Sequence, residues 1–263
     1  MERDGTFRLV VVEETGSTND VLLGADLSVY PLGTALLARR QTLGRGRAER
    51  QWMSEAGGLY LSLLFRPPAI DALALFGAYC VVRLCERYGV KGLAIRWPND
   101  VHYGERKLAG ILPQVKFSGT TVERAVLGVG LNVSQSPQSF PPELRAQVVT
   151  LQELLQDACP DVERVARDYL EVLGNELSRL GVPGRVPELC LPYLEGLAEN
   201  APAFAVEEGG EVRSLGRVAG LGPRGELLLD DGHLLQNLGP TERLRFRPQA
   251  GDDGSVFPLR PIP

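Results

Sequence analysis

Hydrophobic and polar positions recur along this chain with two different periods, and the switches between them mark out its elements. Three early runs, RLVVVEET, GTALLARRQ and GGLYLSLLFRP, have the length and the β-branched or leucine-rich character of strands, the last stopped by Pro67 and Pro68. Between the first two, Ser17 and Asp20 form an S-x-x-D capping pattern ahead of Val21, Leu22 and Leu23, which predicts a turn at Gly16 and a helix from about Thr18. Leu73, Leu75, Phe76, Tyr79, Val82 and Leu84 recur at helical spacing and predict a buried helix of about 18 residues between Ile70 and Tyr88. LAIRWP, RKLAGILPQVKF and TVERAVLGVGLNV then read as three strands, with the short polar stretches NDVHYGE and SGTT as hairpin loops, giving an antiparallel meander. Residues 134–147, rich in Ser, Gln and Pro, read as an exposed loop. TLQELLQDA, capped by Thr150 with Glu153 three places on, and DVERVARDYLEVLGNELSRL have amphipathic helical periods. From about Ala201 the pattern changes to short strands with Gly-rich turns, so the chain divides into residues 1–200 and a small β-barrel over 201–263.

Composition narrows the class. With 44% apolar and 23% charged residues, 263 residues suffice for one substantial core and a small extra domain of an ordinary globular protein. No apolar run approaches the roughly 18 residues of a membrane span, and the first residues lack the apolar segment of a signal peptide, so a cytoplasmic protein that does not enter membranes is expected. Cys80, Cys85, Cys159 and Cys190 match no zinc, CxxC or disulfide spacing and read as free, mostly buried thiols. His102 and His233, far apart in sequence, read as ordinary polar residues and leave little material for a His-based metal site or a nucleophilic triad. Chemistry is then expected to rest on charge and positioning, with no protein-held metal.

One segment stands out against a net charge of -5. RQTLGRGRAERQW, Arg40 to Trp52, carries four arginines and two glycines. An acidic protein with one compact basic loop has the wrong field for long-range attraction to DNA, and the loop reads as a site for one small anionic ligand. Gly44 and Gly46 allow successive N–H groups to converge on an anion, and Arg45 and Arg47 add bidentate forks; a solvated hairpin turn is the alternative. It is neither a Walker loop nor GxGxxG, because position 49 is Glu. In RWPNDV, Pro98 biases Trp97 to extended backbone and Asn99-Asp100 suits a turn, with Asp100 either a plain turn residue or a carboxylate that holds a metal ion or orients a neighbouring base. In the strand that follows, strict alternation places Lys107, Ala109 and Ile111 on one face and Leu108, Gly110 and Leu112 on the other. The Lys107 ammonium needs an anion or solvent, so it is a ligand contact or an edge-strand lysine. Gly128 and Gly130 weaken a strand interior, which points to close approach of a ligand or to a β-bulge.

Taken in order, GSTND, QTLGRGR, WPNDV, RKLAGIL and GVGLNV resemble the biotin protein ligase family, closely from about Thr15 to Asn132 and more weakly beyond. The resemblance implies an α+β fold, with a class II synthetase-like mixed sheet and flanking helices followed by an SH3-like barrel. It implies a two-step reaction in which biotin and Mg2+-bound ATP form biotinyl-5′-AMP, and a lysine of the biotin carboxyl carrier protein then takes the biotin. Ser17, Thr18, Asn19 and Gln41 would hold the biotin end. Gly44, Arg45, Gly46 and Arg47 would cover biotin and phosphate, with Arg50 a secondary contact. Lys107 would stabilise the transition state at the carboxylate and α-phosphate, and Gly110, Leu112 and Gly128 would line the biotin pocket. Trp52, Asn99 and Asn132 would lie on the ATP side, and Asp100 would orient or activate the acceptor lysine. The resemblance also implies a homodimer. Ala48-Glu49 departs from the Arg-Gly of many relatives, and the short stretch before Ser17 leads us to expect a ligase without a DNA-binding module or repressor function. A lipoate ligase, a nucleic-acid-binding regulator and an inactive biotin-binding module are the rival readings.

Overall fold

The computed structural model describes residues 7–197, 202–206, 212–235 and 243–246. In chain order the elements are β1 (Arg8–Thr15), α1 (Thr18–Leu23), β2 (Thr34–Gln41), β3 (Leu59–Phe65), α2 (Leu73–Arg87), β4 (Leu93–Arg96), β5 (Asp100–Tyr103), β6 (Arg106–Ser118) and β7 (Thr121–Leu131). There follow α3 (Pro142–Arg145), α4 (Leu151–Leu155), α5 (Val162–Glu176), α6 (Arg185–Cys190), β8 (Pro202–Val206), β9 (Val212–Leu221), β10 (Leu227–Leu229), β11 (Leu234–Leu235) and β12 (Arg243–Phe246). Strands β1 to β7 form one seven-stranded mixed sheet in the order β1-β2-β3-β7-β6-β5-β4, in which only the β1–β2 pair is parallel.

The two faces of this sheet differ in what their side chains can bury. On one face Leu37, Leu61, Leu63, Ile111, Leu127 and Val129 join the core with residues of α2 and α5. Full burial contributes about 1.5–3 kcal/mol for each large aliphatic side chain and fixes which way the strands face. Helix α2 lies close on this side because residue 77 is Gly: a Cβ there would come within 2.8 Å of Ile111 Cγ2. On the other face Leu36, Leu64 and Val126 pack with Leu22 of α1. Beyond that cluster the same face turns to Tyr60, Ser62, Gly110, Gly128 and Gly130, and a cavity replaces the core.

Three expectations change in the structure. The helix expected between Ile70 and Tyr88 runs from Leu73 to Arg87, because Ala72 sits in the left-handed region at φ 57 and cannot be part of it. NDVHYGE is not a loop: residues 100–103 are β5, paired with both β4 and β6, a strand too short to show a period of its own. Nor does strict alternation hold in β6. Val101 pairs with Ala109 while the next residue, His102, pairs with Lys107, so Leu108 is the extra residue of a bulge. A bulge re-aims the residues on either side of it. Lys107 thereby shares the cavity face with Gly110 rather than the core face with Ile111, its Nζ lying 3.4 Å from where a Gly110 Cβ would be.

Two helices, α1 and α4, start at the caps expected for them. Ser17 accepts from the N–H of Asp20, and Thr150 from the N–H of Glu153. All four cysteines are free. The second sheet, antiparallel in the order β11-β10-β9-β8-β12, lies within the stretch expected to form a small barrel, part of which falls outside the described residues. It is tied to the first unit where Trp97 Nε1 donates to the carbonyl of Gly225 at 2.8 Å. No described helix is long and apolar enough to cross a membrane.

Candidate active site

The cavity, about 720 Å3, is floored by a row of paired positions: Tyr60 on β3, Gly130 on β7, Gly110 on β6 and Asp100 on β5 lie in register across the sheet. The next row is Ser62, Gly128 and Leu112. Glycine at 110, 128 and 130 is required by close approach and not by a bulge, since the β3–β7–β6 register is regular there. A Cβ on Gly128 would strike the Asn19 side chain, and one on Gly130 the indole of Trp52.

At the α1 end the polar side chains form one connected network. The Thr18 N–H donates to Gln41 Oε1 at 2.8 Å, and Thr18 Oγ1 lies 3.1 Å from that oxygen and 2.7 Å from Ser62 Oγ. Asn19 Nδ2 donates to the Leu112 carbonyl and to Gln114 Oε1, which leaves Asn19 Oδ1 to accept from Ser62 Oγ at 2.6 Å. The single Thr18 hydroxyl proton is therefore shared between Gln41 and Ser62. Gln41 Nε2 donates to Ser54 Oγ, which extends the network into the segment beyond the basic loop. Ser62, Gln114 and Ser54 were not singled out by the sequence; their part depends on cross-strand neighbours no local motif reveals.

At the opposite end Lys107 Nζ sits 2.7 Å from Asp100 Oδ2 and 5.2 Å from the centre of the Trp52 ring. Burial alone would raise the Asp100 carboxyl, but Lys107, with Arg96 beyond it, holds it below the usual carboxylate value. Asp100 Oδ1 and Trp52 Nε1 are buried without a hydrogen-bond partner among the described residues. Asn99 and Asn132 both line the cavity while bracing β6: Asn99 Nδ2 donates to the Ile111 carbonyl and Asn132 Nδ2 to the Lys107 carbonyl.

The basic loop folds as a hairpin with Arg45 bridged to Gln51 and a tight helical turn at residues 47–49. Its glycines do not form the expected anion nest. Gly46 is extended at φ -112, and Gly44 packs so tightly on Ser54 and the Trp52 carbonyl that it has no room for a Cβ and does not face the cavity. The left-handed residue is Ala48 at φ 53. Arg45 lines the cavity but pairs with Asp20 of α1, Nε to Oδ2 at 3.1 Å. Arg47 is half-buried; burial lowers its pKa, which the charge of Asp100 partly restores. Arg50 and Ser17 also line the cavity, whereas the side chain of Glu49 lies outside the described set.

Two further parts were not foreseen. Residues 134–147 are not simply an exposed loop, since Phe140, Leu144 and Gln147 contribute a wall and the Lys107 N–H donates to the Gln147 carbonyl at 2.7 Å. His102 is no ordinary surface polar residue: it lines the cavity and is only 5% exposed. Burial first, then Arg96, pushes its imidazole down to about 3, so it is neutral.

Residues 11–132, which carry this cavity floor, match the Biotin/lipoate A/B protein ligase family. Over 242 residues the chain is 32% identical to the biotin–[acetyl-CoA-carboxylase] ligase of Mycobacterium tuberculosis, an alignment covering 87% of this chain and 85% of that protein. The chain belongs to the biotin/lipoate A/B protein ligase family. A structure of the biotin protein ligase from Aquifex aeolicus in complex with biotin and ATP shares the fold with a TM-score of 0.74 at 27% identity, covering 91% of this ligase-family chain and 99% of the other. The bifunctional ligase/repressor BirA of Bacillus subtilis is 36% identical over 128 residues, 47% of this chain and 39% of the relative, so the shared stretch spans about two-fifths of that protein's length. Each ligase-family motif of this chain contributes to the cavity: Ser17 to Asn19, Gln41 with Arg45 to Arg47, Trp97 to Asp100, Lys107 with Gly110 to Leu112, and Gly128 to Gly130 with Asn132.

Proposed function

We propose that this chain is an ATP-dependent biotin protein ligase that forms biotinyl-5′-AMP and passes biotin to a lysine of the biotin carboxyl carrier protein or domain of acetyl-CoA carboxylase. The observation that carries the reading is the polarity of the cavity. A neutral hydrogen-bonding network around Thr18 at one end suits a ureido group, and a lysine held by a carboxylate beside Arg47 at the other suits a carboxylate and a phosphate. The Aquifex relative with biotin and ATP, and the Mycobacterium ligase, support the same substrates.

In this reading the biotin carboxylate oxygen attacks the α-phosphorus of ATP. One O–P bond forms and the bond to pyrophosphate breaks. The acceptor lysine amine then attacks the acyl carbon, AMP leaves and the amine loses a proton. Ser17, Thr18, Asn19 and Gln41 orient biotin, with Gly110, Leu112 and Gly128 giving it room. Lys107 and Arg47 offset the charge that grows on the phosphate oxygens, where a fixed cation in a site of low dielectric is most effective. Arg45, Gly44, Gly46 and Arg50 belong to the loop that covers the intermediate and excludes water. Trp52, Asn99 and Asn132 serve the nucleotide side, and Asp100 orients the groups around it. Mg2+ enters with ATP as part of the substrate, held chiefly by phosphate oxygens.

The reading extends to a catalytic unit over 1–200, an SH3-like barrel over 201–263, a homodimer and a cytoplasmic enzyme without DNA binding or repressor function. Biotin-dependent ATP–pyrophosphate exchange with the purified protein, with lipoate in a parallel tube, tests it. Exchange with biotin alone is expected; exchange with lipoate alone moves the chain to the lipoate branch, and silence with both removes the enzyme.

A further inference from the structure

His102 is buried against the cavity with both ring nitrogens lacking a hydrogen-bond partner among the described residues. A neutral imidazole has one donor and one acceptor, and leaving such groups buried and unmatched is costly. Its position follows from the fold: it sits two residues beyond Asp100 on β5, so the two share a face, and the bulge at Leu108 turns Lys107 opposite it onto the same side. Arg96 of β4 flanks it, and Arg245 of β12 in the second sheet lines the same cavity and acts on it through its charge.

The surrounding charge narrows what the ring is for. Arg96, Lys107 and Arg245 act on it against Asp100, with Arg96 and Lys107 each already paired to carboxylates, Arg96 to Glu105 and Glu195 and Lys107 to Asp100. Arg96 is itself fixed by Glu195, Nε to Oε2 at 2.6 Å, and by Glu105 at 3.1 Å, so it is a rigid neighbour. A buried, unmatched imidazole N–H that shares the cavity with the Lys107 ammonium and Arg245 matches an anion rich in acceptor oxygens better than a cationic or apolar group. The biotin network around Thr18 lies at the far end, across Lys107.

Building on the ligase reading, we infer that His102 contacts the phosphate chain of the nucleotide, donating to an oxygen of the pyrophosphate that departs when the adenylate forms. The role is separable from the rest of the site, because transfer from preformed biotinyl-5′-AMP needs no pyrophosphate. His102→Phe keeps the bulk and removes both hydrogen-bonding nitrogens, and His102→Gln keeps one donor and one acceptor.

The experiment measures KM for ATP and for pyrophosphate in biotin-dependent exchange, transfer from added biotinyl-5′-AMP, and calorimetric binding of inorganic pyrophosphate to the wild-type protein and both variants. The expected result for His102→Phe is a rise of about tenfold in both KM values and in the Kd for pyrophosphate, with transfer unchanged and with most of the loss restored in His102→Gln. Unchanged KM and Kd values in His102→Phe overturn the assignment, as does an equal loss in the transfer step, which marks a structural role. Wild-type protein silent in exchange removes the ligase reading, and the calorimetric comparison of wild type with His102→Phe then still decides whether His102 binds pyrophosphate.

Discussion

The Lys107 ammonium and the Asp100 carboxylate, 2.7 Å apart on adjacent strands, form the ion pair at the charged end of the cavity. They meet because the bulge at Leu108 brings Lys107 onto the face where Asp100 already lies. Lys107 is thus held in place before any ligand arrives, and an incoming anion finds an oriented cation. Lys107→Ala is expected to slow adenylate formation by roughly 10²–10³ with the fold intact. Single-turnover pyrophosphate release checks this, and a near-normal rate removes Lys107 from the chemistry.

The two loop arginines are expected to differ, although the motif presents them alike. Arg45 is engaged by Asp20 on α1, while Arg47 is half-buried and feels the charge of Asp100 inside the cavity. Arg47→Gly is expected to release biotinyl-5′-AMP and raise labelling of bystander lysines; Arg45→Gly is expected to do so less. A filter-binding measurement of retained adenylate checks the order, and equal retention in the two variants contradicts it.

How much of this was legible in the sequence depended on how local each signal was. The Ser17 cap, the GRGR loop and the Lys107 strand declare themselves within a few residues, and all three border the cavity or lead into it. Residues whose role is set by strand pairing were hidden. Nothing in RKLAGIL announces a bulge, because the extra residue exists only relative to β5, so alternation assigned Lys107 to the wrong face. Ser62 looks like an interruption of an apolar strand until register sets it beside Gly128, and His102 looks like loop until residues 100–103 pair on both sides. The glycines of the loop serve packing rather than an anion nest: Gly44 is needed for close approach to Ser54, and the left-handed position falls to Ala48.

Trp52 gives a direct optical test of how the cavity fills. Its ring covers Gly110 and Gly130, with a Gly110 Cβ position only 2.9 Å from Cζ3, so a ligand lying on that floor must displace it. The chain has two tryptophans, and Trp97 is anchored by its bond to the Gly225 carbonyl. In a Trp97→Phe background, biotin with ATP is expected to shift the emission of Trp52. Gly130→Ala, whose new Cβ collides with the ring, is expected to shift it without ligand. Emission that stays constant in both cases means that the ring does not leave the floor.

His102 also carries a signature in stability that needs no substrate. Burial, with Arg96 of β4, Lys107 of β6 and Arg245 of β12 against the opposing Asp100 of β5, pushes its imidazole down from the usual 6.5 to about 3. Between those two values the unfolded chain binds a proton at this position and the folded chain does not. The neutral ring's contribution is therefore complete above about pH 6.5 and is lost as pH falls toward 3, with a slope of at most about 1.4 kcal/mol per pH unit. Carboxylates away from this site that also titrate in acid are common to wild type and variant, so their difference isolates the imidazole together with its coupling to Asp100. Urea midpoints at pH 7.5, 6, 5 and 4 are expected to fall more steeply for the wild-type protein than for His102→Phe. Parallel pH profiles mean that the ring is solvated in the folded chain and that its two nitrogens are not held apart from water.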